Sequence, residues 1–210
     1  MPDATIAVVK GPRQMAAVWS LSVAAALAAG GCGDSSDSGS PTQPADPPAL
    51  SAEARSASAG DIPDNQVFLV LRNKPAGYSI KYPEGWTQIG SGKEVTFKDK
   101  NNLVHVVVVP GAAPTPRQAA SQLARLKGSD RSLTVTSPPR LVTVKGKRMV
   151  KSGYSTQSAP NPVTGKRVTL LVDRYQLAAN GKAATVDLGT PRGVDNVDAY
   201  RLMIESFKWL

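Results

Sequence analysis

Residues 103–128 read LVHVVVVPGAAPTPRQAASQLARLKG, and two different hydrophobic periods meet inside them. From Leu103 to Val109 every position except His105 is apolar, so both faces of an extended segment are greasy. Such a strand is expected near the centre of a sheet, with cover on both sides. Pro110 and Gly111 end it. Beyond Pro114 the period changes, and Ala119, Leu123 and Leu126 recur at helical spacing. Thr115 suits the N-cap, Pro116 the first helical position, and Gln118 completes a capping box; Gly128 is expected to end the helix. A buried strand followed by an amphipathic helix is the centre around which the rest must be arranged.

Strand signals flank that centre on both sides. Upstream lie VFLVLR (67–72) and GYSIKY (77–82), the latter alternating Tyr78, Ile80 and Tyr82 with Ser79 and Lys81. Pro83 removes a ladder donor, Glu84-Gly85 turns the chain, Trp86 opens a short strand, and EVTFKD (94–99) follows. Downstream come RLVTV (140–144), a turn at 145–147, RMVKSGYST (148–156), a loop, and KRVTLLVDRYQLA (166–178). Asn180-Gly181 marks a type I′ hairpin into KAATVDLG (182–189). In DNVDAYRLMIESFKWL (195–210), Asp195 suits an N-cap and Val197, Tyr200, Ile204 and Phe207 share one helical face. Meander, helix, meander, helix implies an α+β sandwich with an antiparallel β-sheet flanked by helices.

The first part of the chain has a different character. Met15–Ala29 is apolar apart from two serines, with Lys10 and Arg13 before it, the pattern of an export signal. AAGGC, ending at Cys32, resembles the lipobox of bacterial lipoproteins, in which small residues precede a thiol that takes a diacylglyceryl group. Ala26-Leu27-Ala28 also fits the A-x-A pattern of ordinary signal peptidase, which would leave the only cysteine as a free thiol near a new N-terminus. Lipidation of Cys32 is the expectation, with residues 1–31 as the signal. Residues 32–65 are rich in Ser, Pro, Ala, Gly and Asp and have little to bury; they read as a disordered tether spanning about 30 Å before a domain at 66–210.

Charge divides at the same boundary. Residues 32–65 hold six acidic residues against one basic, net −5, whereas 66–210 hold 22 Lys/Arg against 9 Asp/Glu, net +13. The densest basic run gives Arg140, Lys145, Lys147, Arg148 and Lys151, with Lys166, Arg167 and Arg174 on the strand expected beside it. A hairpin tip carrying such residues suits an anionic surface. Nucleic acid is not expected, since export separates the chain from it and the run lacks interleaved aromatics.

Taken in order, GYSIKYPEGW (77–86), LVHVVVVPG (103–111), TPRQAASQL (115–123), Gly146 and IESFKW (204–209) resemble the PsbP-like domain of the Mog1/PsbP fold. That fold occurs in extrinsic photosystem II proteins and in many small bacterial lipoproteins. The resemblance implies a central antiparallel sheet flanked by helices, and a module that binds or scaffolds. The photosystem role is not implied, because the N-terminal region here is a generic tether.

Chemistry is sparse. The chain lacks G-x-S-x-G, S-x-x-K, G-x-G-x-x-G and Walker A patterns. One histidine and one cysteine exclude zinc-finger spacings. His105, mid-strand among valines, reads as structural, and Asp195 with Asp198 as dipole compensation at a helix start. The expectation is a non-enzymatic, monomeric module without cofactor or metal, held on the extracytoplasmic face of the cell membrane by its lipid. Its expected partner is an envelope protein complex or an anionic polymer. The alternative is a carrier of apolar or lipid-like small molecules, which needs a deep apolar pocket.

Overall fold

Thr115 starts the first helix as its side chain requires. In the computed structural model, which describes residues 60–161 and 163–210, its hydroxyl accepts the Gln118 N–H at 3.3 Å and its own N–H donates to Gln118 Oε1 at 2.8 Å. The expected signal at 1–31, Cys32 and the expected tether as far as residue 59 lie outside the described residues. Helix α1 (Pro116–Ser129) runs through Gly128 rather than ending there. Its stop is Asp130, whose N–H bonds to Leu126 O and whose carboxylate takes the N–H and hydroxyl of Ser132 and the hydroxyl of Thr156. Ala119 is buried, and Leu123 with the half-buried Leu126 packs against Leu133, Tyr154, Leu170 and Val172.

Among the described residues, ten strands and two helices follow the order β1 (Phe68–Asn73), β2 (Tyr78–Pro83), β3 (Thr87–Ser91), β4 (Glu94–Asp99), β5 (Asn102–Pro110), α1, β6 (Thr134–Val144), β7 (Lys147–Gln157), β8 (Thr169–Ala179), β9 (Lys182–Pro191), α2 (Val197–Ser206) and β10 (Lys208–Trp209). Seven form one antiparallel sheet, β3-β4-β5-β9-β8-β7-β6. β1 and β2 do not join it; with β10 they make a separate three-stranded sheet. That small sheet and α2 bury Tyr78, Ile80, Met203, Ile204 and Phe207 against Val95, Phe97, Val104, Val106, Met149 and Leu188 of the large sheet. Helix α1 lies on the opposite face, over β6 and β7. The α+β sandwich with helices on both sides of an antiparallel sheet is present.

The placement of α1 changes the reading of β5. Val104, Val106 and Val108 are buried, but Leu103, His105 and Val107 are only half-buried because no helix lies over this part of the outer face. The strand is covered on one side, not two. At the other hairpin, Asn180 and Gly181 both have positive φ, 52° and 72°, as a type I′ turn demands.

The C-terminal segment departs most from its pattern. Asn196, not Asp195, occupies the N-cap position, and its side chain bonds elsewhere. Its Oδ1 accepts the Ile62 N–H at 2.8 Å, and its Nδ2 donates to Gly60 O, Asn102 Oδ1 and Thr190 Oγ1. Residues 60–65, compositionally the end of the tether, are thus fastened at their start to α2, with Ile62 in the core. Asp195 still accepts the Val197 N–H at 3.2 Å. Val197 is 61% exposed, and Met203 takes the core place expected for it. The helix stops at Ser206 because the open edge of β2 recruits the chain: Lys208 pairs with Ser79, Trp209 with Tyr78, and the Leu210 N–H with Gly77 O. Phe207 fills the corner, stacked on Tyr78 at 5.4 Å and edge-on to Trp209 at 5.3 Å.

Candidate functional site

The five cations of the β6–β7 hairpin do not form one patch. Lys145 and Gly146 make its tight turn, with φ of 44° and 75°. Register pairs Arg140 with Lys151, Val144 with Lys147 and Thr143 with Arg148, so alternation sends Arg148 to the face opposite Lys147 and Lys151. Lys147 Nζ donates to Glu205 O at 3.0 Å and to Phe207 O at 2.6 Å, closing the carbonyl end of α2. Lys145 Nζ lies 3.0 Å from Glu205 Oε2. Lys151 pairs with Asp173 at 2.8 Å and stands over the Tyr175 ring. Arg140 and Arg148 remain exposed. Beside them, Arg167 donates to Ser158 O, Lys166 is exposed, and Arg174 turns inward.

A different set of cations converges. In β1 and β2, Val70 pairs with Lys81 and Arg72 with Ser79, while Lys208 of β10 also pairs with Ser79. Cross-strand partners share a face, so Arg72, Lys81 and Lys208 project from the outer side of the small sheet, away from Ile80 and the core. Together with Lys145 and Arg201 they border a groove of about 700 Å³. Val70 (55% exposed), Leu202 and Leu210 (51% exposed) supply its apolar parts. Its acids are already engaged: Glu205 with Lys145, and Asp198 with Arg201 at 3.2 Å. Among the described residues, Arg72, Lys81 and Lys208 have no carboxylate partner within ion-pair distance. The crowding is felt by Lys147, whose pKa is lowered by burial and then by the charges of Lys208 and Lys145. Within each strand, alternation places Arg72 and Lys81 outward; no local signal joins them to Lys208 and Arg201.

On the other flank of α2, a cleft of about 760 Å³ runs under the helix toward β6–β9. Leu171, Tyr175 and Ile204 give it apolar wall, but Lys151, Asp173 and Glu205 line it as well. The two depressions share Lys145, Arg201 and Glu205, so α2 is the ridge between them.

The outer face of the large sheet holds a buried charge network. Arg174 donates from Nε and Nη2 to the two oxygens of Asp187, both at 2.7 Å, with side chains 13% and 4% exposed. The Arg174 guanidinium also lies 5.3 Å from the centre of the Tyr154 ring. His105 Nδ1 stands 3.9 Å from Asp187 Oδ2, and Nε2 is 2.9 Å from Glu94 Oε1. Burial pushes the Asp187 carboxyl up, but Arg174 and His105 outweigh it and hold its pKa below the usual value. Burial pushes the His105 imidazole down; Asp187 and Glu94 outweigh that, and its pKa lies above the ordinary 6.5. Among the described residues no three His, Cys, Asp or Glu side chains converge as a metal would require.

The raised His105 pKa carries a signed prediction. The folded chain holds this proton more tightly than the unfolded one, so its stabilisation is complete below 6.5 and is lost as pH rises through the folded value. Urea midpoints of the wild type and His105→Gln, measured from about pH 5 to 9, should converge as pH rises past roughly 6.5. A difference independent of pH would refute the assignment of this charge to the network.

No protein-family model matches the sequence, and no curated protein matches it. Likeness to solved structures is at the level of fold. Cyanobacterial PsbP from Synechocystis sp. PCC 6803 matches with a TM-score of 0.52 and 15% identity, covering 73% of this chain and 99% of that one. The Ran-binding protein Mog1p of Saccharomyces cerevisiae matches with a TM-score of 0.45 and 9% identity over 69% of this chain and 96% of that one. LpqN of Mycobacterium tuberculosis, a protein involved in cell envelope biogenesis, matches with a TM-score of 0.38 and 13% identity over 69% and 85%. The chain spans 48% of a further match, from Bacteroides thetaiotaomicron. The PsbP likeness shows the fold of the described residues.

Proposed function

We propose, from this Mog1/PsbP-like fold, that the chain is a lipid-anchored extracytoplasmic lipoprotein whose domain serves the cell envelope as a non-enzymatic binding or scaffolding module. The observation that supports binding is the groove beside α2. There β1, β2, α2 and β10 bring together cations with no carboxylate partner and side chains as apolar as Val70 and Leu210. Exposed apolar side chains bordered by cations without carboxylate partners suit an external anionic partner. The sequence supports the location: Cys32 stands between an export signal and a polar tether. Two or more acyl chains on that sulfur would hold the domain on a bilayer essentially permanently.

Mass spectrometry of the mature N-terminus from native membranes tests the location. The expected product begins at Cys32 with a diacylglyceryl thioether. A product beginning at Ala29 with an unmodified thiol would make the protein a freely diffusing one. The binding role is tested by recovering the native protein from its membranes after mild crosslinking, with a defined envelope component as the expected co-product. The cleft under α2 favours a second reading, carriage of an apolar small molecule against Leu171, Tyr175 and Ile204. Native mass spectrometry separates the two: a stoichiometric lipid-like adduct means a carrier, and the bare protein mass means a module that works through its surface.

A further inference from the structure

We infer that the groove formed by β1, β2, β10 and α2 docks the domain on the anionic headgroup layer of a membrane. The inference deepens the binding-module reading by naming its partner, and it rests on that reading. The charge is one-sided: Arg72, Lys81 and Lys208 have no carboxylate partner among the described residues, and the local acids Asp198 and Glu205 are occupied by Arg201 and Lys145. Anions are the complement of such a surface. The apolar residues decide which anion. Val70, Leu202 and Leu210 are exposed beside the cations. A soluble phosphate offers nothing to them. A bilayer presents phosphates above hydrocarbon, which suits cations flanked by aliphatic side chains. The contact also differs from the sequence expectation. Of the five hairpin residues only Lys145 belongs to it; Arg140 and Arg148 lie elsewhere, Lys147 holds the end of α2, and Lys151 is paired with Asp173.

The test uses residues 33–210, which contain every described element and both cores but lack Cys32, so no acyl chain contributes. Sedimentation is measured with vesicles of pure phosphatidylcholine and of phosphatidylcholine mixed with phosphatidylglycerol. Association is expected only with the mixture, and weaker as salt rises. Removing one membrane-facing cation should weaken it about five-fold, so Arg72→Gln with Lys81→Gln and Lys208→Gln should weaken it roughly 100-fold. The matched control, Arg140→Gln with Arg148→Gln and Lys166→Gln, removes the same charge from exposed positions outside the groove and should retain binding. Both variants should keep the wild-type urea midpoint. Equal loss in both variants, or equal binding to both vesicles, overturns the inference. Because no lipid anchor is used, these outcomes are independent of the N-terminal mass that decides the anchored reading.

Discussion

Asp187→Ala is expected to destabilise the domain by about 3–5 kcal/mol, because it leaves the Arg174 guanidinium buried without its counter-charge. That is a large share of the roughly 5–15 kcal/mol that holds a typical domain together. The geometry makes the loss steep. Arg174 is 13% exposed, donates both of its bonds to Asp187, and lies under Tyr154, so little of the guanidinium reaches water to replace its partner. His105 loses a partner in the same step. The companion variant separates pairing from burial. Asp187→Leu combined with Arg174→Met removes both charges and should return to within about 1 kcal/mol of the wild type, or exceed it. Urea unfolding monitored by tryptophan fluorescence reads both. A single variant costing under about 1 kcal/mol would mean that Arg174 is solvated and the pair is not a buried one.

Phe207→Ala should cost about 3–5 kcal/mol as a large-to-small change in a filled core. Phe207 is 0% exposed, stacks on Tyr78 with rings 9° apart, and meets Trp209 edge-on. Its loss has a local signature as well. β10 is two residues long and joins β2 immediately after this side chain, so the ring anchors the pairing. Hydrogen exchange at the Leu210 N–H, bonded to Gly77 O at 2.9 Å, should rise more than exchange at the amides of β5. Phe207→Leu keeps most of the volume and should lose less than half as much. Uniform loss of protection across β5 and β10 would show that Phe207 supports the core without anchoring the terminal strand.

The sequence reading succeeded where the forces are local. EVTFKD is β4 to the residue, Thr115 and Gln118 cap α1, and Asn180-Gly181 turns β8 into β9. It failed where a distant segment competes. The helical pattern of 195–210 is genuine as far as Ser206, but β2 offers an unpaired edge, and ladder bonds to Ser79 and Tyr78 replace the last helical turn. Val197 fits the apolar stripe yet is exposed, because the helix ends facing the core are chosen by what lies opposite. Arg174 reads as one more surface cation until Asp187 is placed across from it in register.

The candidate site divides in the same way. KGKR at 145–148 is compact in sequence, and strand alternation scatters its charges over two faces, with Lys147 spent on backbone carbonyls. Arg72, Lys81 and Lys208 look unrelated in sequence and are neighbours in space.

The sequence alone determined the α+β class, the order of its strands and helices, the capped start of α1, and the basic charge of residues 66–210. Those properties follow from periodicity, turn chemistry and composition, which act over a few residues or over the whole chain. Tertiary structure alone decided that β1 and β2 leave the main sheet, that Arg174 is buried, and which cations face outward together. Side-chain burial and ion pairing are set by the residue opposite, and only the folded chain brings that residue within a few ångströms.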